Sequence, residues 1–145
     1  MLLVPVRGSM TDCVFCKIVS GELPAERVYE DDLVVAFRDA HPTAATHILI
    51  VPRVHVPTLN DLHDDDGIFS HMGKVARRIA KDEGVADSGY RFFINVNRGG
   101  GQVVFHLHAH LVAGQGLGMR LIELSVGLAI MWRRLVNWVR HSSSR

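Results

Sequence analysis

The sequence predicts an α+β fold: five short strands, one long helix and a short helix near the N-terminus. Three stretches carry that prediction. In 105–112, Phe-His-Leu-His-Ala-His-Leu-Val, histidine alternates with apolar residues, and a period of two is the signature of a strand with one polar and one packed face. A helix would scatter His106, His108 and His110 around its circumference, because same-face helical neighbours lie three or four residues apart. In 46–51 an almost unbroken apolar run, stopped by Pro52, reads as a strand central to a sheet. In 68–80, Ile68, Phe69, Met72, Val75, Ala76, Ile79 and Ala80 recur at intervals of three and four, giving one helix with a single buried stripe.

Taken in order, residues 1–9 are too short, and too early interrupted by Pro5 and Arg7, for a signal peptide. They read as a flexible leader or a protease-site remnant, with Met10 as an alternative start. Residues 16–19 form a helical turn ended by Ser20-Gly21, and Pro24 forbids its continuation. Strands follow at 27–30 and 33–38, joined by a tight turn at Asp31-Asp32. A loop at 39–43 contains Pro42, which pushes His41 out of helical geometry. After the strand at 46–51 comes the long helix, with Asp64, Asp65 and Asp66 as a solvated acidic cap and Gly84 past its end. Its Phe69 and Met72 are expected in the core. A fourth strand spans 90–96, and Gly99-Gly100-Gly101 leads into the histidine strand. Three glycines permit positive φ, so this loop is either a plain hairpin or a cradle of backbone N–H groups for a phosphate.

Composition narrows the function classes. The chain has 145 residues, 16 basic and 15 acidic, for a formal net charge of +1. That is one domain's length, with no basic field for a polynucleotide. Nine histidines are the outlier. Two neighbouring histidines on one strand face can grip an ion, but three cannot easily converge on it, so a linear row suits an extended substrate better than a metal. Imidazole serves as nucleophile, acid or base near neutral pH. The only cysteines, Cys13 and Cys16, form a C-x-x-C pair, which reads as a metal half-site or a redox pair in a reducing cytoplasm. The segment 121–139 is apolar and helical in pattern, but its longest uncharged run, 124–132, is nine residues against the ~20 that cross a bilayer. It is expected to pack on its own domain or a partner rather than to lie on a membrane. The last five residues, 141–145, are expected to be disordered.

The ordered series Phe15-Cys16-Lys17-Ile18, Leu23-Pro24-Ala25, Tyr29-Glu30-Asp31-Asp32, Ala36-Phe37-Arg38-Asp39, Thr46-His47, Val51-Pro52-Arg53-Val54-His55, Gly101-Gln102 and His106-Leu107-His108-Ala109-His110 resembles the histidine triad (HIT) family, closest to its Hint branch. The resemblance covers 12–114. It implies a HIT-like fold with a five-stranded, mainly antiparallel sheet over 10–114, followed by a C-terminal helical extension at 115–145. It further implies a homodimer whose sheets join, and hydrolysis of purine nucleoside phosphoramidates or related nucleotides through a nucleotidyl-histidine.

By motif position the resemblance makes His108 the nucleophile and His110 the residue that orients phosphate and assists the leaving amine. His106 and His47 complete the catalytic set. Asp39 is implied on the ribose hydroxyls, with Phe37, Ala40, Asn95, Gly101, Gln102 and Val103 around the nucleotide. Relatives that hold a structural zinc imply Cys13, Cys16, His55 and His106 as its ligands. Two departures bear on substrate choice. Val103 stands where close relatives often carry serine, and the Trp-Pro-Pro-Gly-like ending of the branch is absent. A non-catalytic nucleotide-binding or scaffold protein of the same fold is the rival expectation, and a C-x-x-C redox protein is a weaker third.

Overall fold

The computed structural model describes residues 12–63, 67–114 and 131. The leader, the acidic cap at Asp64 to Asp66 and the C-terminal extension, apart from position 131, lie outside the described residues. Helix α1 (Val14–Ser20) is followed by strands β1 (Arg27–Glu30), β2 (Val34–Arg38) and β3 (Thr46–Pro52), then helix α2 (Ile68–Asp82), β4 (Arg91–Ile94) and β5 (Ala109–Ala113). The sheet order is β1-β2-β3-β5-β4, with every neighbouring pair antiparallel. β3 is central and buried along its whole length, as its continuous apolar run requires.

Alternation on the strands divides the core into two layers. Val34, Ala36, Ile48, Ile50, Leu107, Ala109 and Leu111 meet Ile68, Met72, Val75, Ala76, Ile79 and Ala80 of α2. On the opposite face, Val35, Phe37, Leu49 and Val51 pack with Phe15 of α1. Gly21 (φ 87) ends α1 and sends its N–H to the Ile18 carbonyl, a left-handed cap that glycine adopts without a Cβ penalty. A polar clamp ties α2 to the β1–β2 turn. Asp31 accepts from the Tyr29 hydroxyl at 2.8 Å and lies 2.6 Å from His71 Nε2, while its other oxygen takes the Leu33 and Val34 N–H groups.

Two expectations about the elements need correction. Phe69 is 52 % exposed, not core. It lies one residue, or about 100°, round from Ile68, and the stripe through 68, 72, 75–76 and 79–80 is complete without it. The histidine strand also begins later than its alternation suggests. The chain bends at 104–106, and regular pairing starts only at Ala109. The cause is a different set of partners: the Leu107 N–H goes to the Val56 carbonyl, and the Gln102 amide holds the Val104 carbonyl. The backbone of this run is anchored to the segment after β3, and only the His106 ring reaches the last residue of β3, Pro52.

Replacing Met72 by Ala is expected to cost about 2–5 kcal/mol, because the side chain is fully buried against the sheet. Phe69→Ala is expected to cost less than about 1 kcal/mol. Urea denaturation of the two variants checks the contrast, and similar losses would contradict the placement.

Candidate functional site

The sheet register builds the site. Phe37 pairs with Leu49, Leu49 with His110, and His110 with Phe93, so one row crosses β2, β3, β5 and β4 on a single face. His47 shares that face with Leu49 by alternation. His108 arrives on it two residues before His110. The face floors a cavity of about 750 Å³, a size suited to a small-molecule ligand. Among the expected residues, Phe37, Asp39, Ala40, His47, Asn95, Gly101, Val103, His108 and His110 all line it. Val103 stands 86 % exposed at the cavity rim.

Two expected residues do not line this cavity. Gln102 is buried beneath the loop, where its amide oxygen accepts from the Asn97 N–H at 2.9 Å and its nitrogen donates to the Pro57 and Val104 carbonyls. It braces the glycine loop rather than facing the cavity. The loop itself is a tight turn, with Gly101 at φ 86. The N–H groups of Gly100, Gly101 and Gln102 are spent on the Asn97 and Arg98 carbonyls, so these three backbone donors are not free to form a phosphate cradle.

His106 is the second. Its ring is fully buried and turned to the cysteine pair: Nδ1 lies 3.4 Å from Cys13 Sγ, 3.5 Å from Cys16 Sγ and 3.3 Å from His55 Nδ1. Nε2–H donates to the Pro52 carbonyl at 2.8 Å, which leaves Nδ1 as a lone pair. The triad is therefore split. Two rings face the cavity and one faces the thiols.

Cys13, Cys16, His55 and His106 bring four donor atoms within 4.8 Å of one another. Bond lengths of about 2.0–2.3 Å in a tetrahedral zinc site imply ligand-to-ligand edges of about 3.3–3.8 Å, and the Cys16–His55 contact of 3.3 Å falls there with the others. Burial, aided by Cys13, pushes the Cys16 thiol up to about 11, so without a cation this thiol stays protonated at neutral pH. Burial lowers His106 to about 4, which keeps its ring neutral. The donor set fits a closed, four-coordinate metal site. His55 Nε2 is buried with no hydrogen-bond partner among the described residues, so its ring is aimed by the Nδ1 side alone.

Hydrogen bonds assign the other rings. His108 Nδ1–H donates to the His106 carbonyl at 2.7 Å, which leaves Nε2 as the lone pair of a ring that lines the cavity. Burial holds His108 below the ordinary histidine range, against the pull of the His106 carbonyl and Asp39. The backbone N–H of Thr43 donates to His47 Nδ1 at 3.1 Å, so the proton of neutral His47 is on Nε2. That nitrogen lies 3.0 Å from His110 Nδ1 and 3.4 Å from Asp39 Oδ2. His110 Nδ1 is thereby an acceptor, and Nε2 carries its proton. This Nε2–H is buried and has no partner among the described residues. Burial and the neighbouring His108 and His47 rings lower His110 to about 4.

The cluster of Asp39, His47 and His110 has metal-like spacing, but its tautomers say otherwise. A metal on His47 Nε2 would need the proton moved to Nδ1, against the Thr43 N–H. The cluster works as a hydrogen-bonded relay. Asp39 is half committed, since its Oδ1 takes the His41 N–H at 2.9 Å. Sequence reasoning missed Thr43, which fixes the His47 tautomer. It also missed Phe15, whose edge packs on the His108 ring at 5.0 Å, and Phe93, stacked on His110 at 4.8 Å. Phe15 sits inside the C-x-x-C motif and was findable. Phe93 needed the register.

Comparisons with known proteins agree with this geometry. The HIT domain family model matches residues 20–117. The purine nucleoside phosphoramidase of Escherichia coli (strain K12) is 48 % identical over 111 residues, covering 76 % of this chain and 93 % of that protein. A histidine triad protein from Clostridium difficile superposes with a TM-score of 0.72 at 46 % identity, over 76 % of this chain and 96 % of the other. A zinc-bound histidine triad family protein from Mycobacterium smegmatis gives 0.66 at 34 % identity, over 74 % of this chain and 78 % of that one. The split triad, the two-layered antiparallel sheet and these likenesses together make the chain a member of the histidine triad family.

Proposed function

We propose that this protein hydrolyses purine nucleoside phosphoramidates, or related nucleotides linked through the α-phosphate, by way of a nucleotidyl-histidine on His108. The observation that carries the reading is the bond from His108 Nδ1–H to the His106 carbonyl. It commits one nitrogen and leaves the other free in a cavity that also holds a carboxylate and a second imidazole. The 48 % identical phosphoramidase supports the substrate class.

The step would run as a double displacement. His108 Nε2 attacks phosphorus as the P–N bond breaks, and the amine departs with a proton drawn from water at the open mouth. His110 Nε2–H, a donor without a partner among the described residues, would give a hydrogen bond to a phosphate oxygen or the leaving nitrogen as charge develops there. Water then attacks phosphorus and gives up a proton, which restores the one the amine drew from solvent; the P–N bond to His108 breaks, and the ring returns to its neutral form with the nucleotide released. Splitting the displacement spares an anionic phosphate a direct attack by water. Asp39 Oδ2 would accept from a ribose hydroxyl, with Phe37, Leu49 and Ile18 forming apolar cavity wall beside it.

Structural zinc on Cys13, Cys16, His55 and His106 belongs to the same reading. When bound it would supply the charge that keeps both thiols ionised and pins α1 to His106. A homodimer through β4 is also proposed, since β4 lies at the sheet edge with Phe93 39 % exposed. A cytoplasmic location accords with two reduced cysteines.

With an adenosine phosphoramidate, His108→Ala should lose about a thousand-fold or more in kcat/KM while still binding AMP. In the wild type the acid limb should fall below pH 6.5, because the nucleophile's depressed pKa keeps its lone pair until the solution is more acidic than an ordinary histidine requires. Equal, slow release by both proteins would favour a binding module instead. Native mass spectrometry of protein prepared without chelator should give a dimer with one zinc per chain, and Cys16→Ser should lose the metal. A metal-free wild type would remove zinc from the account, and a monomer would remove the dimer.

A further inference from the structure

The ring of Phe93 lies flat on the ring of His110, with centroids 4.8 Å apart and planes 12° from parallel. The two are a direct cross-strand pair. His110 is otherwise met by His47 from β3 at 5.3 Å, tilted, and by the edge of His108 at 5.0 Å. Asp39 completes the surroundings, with its carboxylate, His47 and His110 within 4.8 Å of one another and its charge pulling the His110 pKa upward. No other aromatic side chain stacks on His110 among the described residues, and Phe93 is the one neighbour that comes from the sheet edge.

We infer that Phe93 is a positioning residue for the hydrolysis proposed above: its face fixes the plane of the His110 ring and covers it from water on the β4 side. Two effects compete in such a stack. A phenyl face would favour an imidazolium by cation–π attraction, whereas exclusion of water disfavours it. Burial is the largest cause that sets His110 down, to about 4, and the stacked Phe93 ring is part of what buries it. The plane matters as much as the charge. The His47 bond holds only Nδ1, and a ring tethered at one atom can still tip about that bond. Stacking removes the tilt, so Nε2–H keeps one direction. Phe93 itself does not line the cavity, hence its removal leaves the nucleotide's contacts in place.

The experiment follows the His110 ring by NMR titration in the full chain and, in parallel, measures phosphoramidate turnover and AMP binding for Phe93→Ala, Phe93→Leu and Phe93→Tyr. Ala, which admits water on the β4 side, is expected to raise the His110 pKa by about one unit, Leu to leave it closer to wild type, and both to lower kcat about ten-fold, with the AMP Kd within about two-fold of wild type. Tyr, which keeps the ring, is expected to restore both readouts. Leu preserves apolar bulk, so it separates loss of the stack from loss of the fold. An unchanged titration and kcat in Ala and Leu overturns the inference, as does an equal loss in all three variants, since the ring would then not matter. If wild type fails to turn over the phosphoramidate while the titration still shifts as expected, the hydrolase reading falls and the positioning by Phe93 stands.

Discussion

One hydrogen bond organises this molecule: the proton on His108 Nδ1 rests on the carbonyl of His106. A bond of this kind contributes only about 1 kcal/mol to stability, yet it decides which nitrogen of the ring can act. It exists because the chain has not yet entered the sheet. With the Leu107 N–H on the Val56 carbonyl and the His106 ring held between Pro52 and the cysteine pair, the His106 carbonyl is turned toward the next histidine. His106 thus acts on the cavity through its backbone and on the thiols through its ring. The cluster of Cys13, Cys16, His55 and His106 and the cavity share a residue, and Phe15, lying between Cys13 and Cys16 and packed on both His106 and His108, joins them a second time.

The remaining polar groups are arranged around neutrality. Three rings in contact cannot all be charged, and burial settles the competition in favour of the neutral forms of His47, His108 and His110. A pKa of about 4 leaves His110 protonated in only about one molecule in a thousand at pH 7. Asp39 opposes this, but its carboxylate is divided between the His41 N–H and His47. An anionic phosphate entering the cavity would therefore meet neutral rings and the His110 N–H, while the Arg38 guanidinium in the wall is already paired with Glu26 and Glu83. A directed N–H donor favours charge that develops at a defined place, which is what bond cleavage at phosphorus needs.

Much of this was legible in the sequence, because periodicity reports on faces. The run at 46–51 declared β3 central, the stripe from Ile68 to Ala80 declared α2, and alternation at 106–110 separated packing residues from polar ones. What periodicity does not carry is the identity of partners. Phe69 counted as core because it is apolar and adjacent to the stripe, although its angle on the helix takes it outward. The glycine loop read as either a plain hairpin or a phosphate cradle, and Gln102 as a nucleotide contact, a choice that only the internal hydrogen bonds of Gly100, Gly101 and Gln102 inform. His106 carried two expectations, and geometry divides them: its ring faces the cysteines while its carbonyl meets His108 of the cavity. Phe93 had no signal at all, since its importance comes from lying opposite His110 in a register that only the fold reveals.

The proposed attack by His108 rests on the protonation state of that single ring, and nitrogen-15 NMR of the histidine side chains in the intact protein at pH 7 reads it directly. The expected result is a neutral His108 with its proton on Nδ1 and a bare Nε2. A His108 that is an imidazolium at that pH, or that carries its proton on Nε2, would have no lone pair to offer the cavity and would contradict the account.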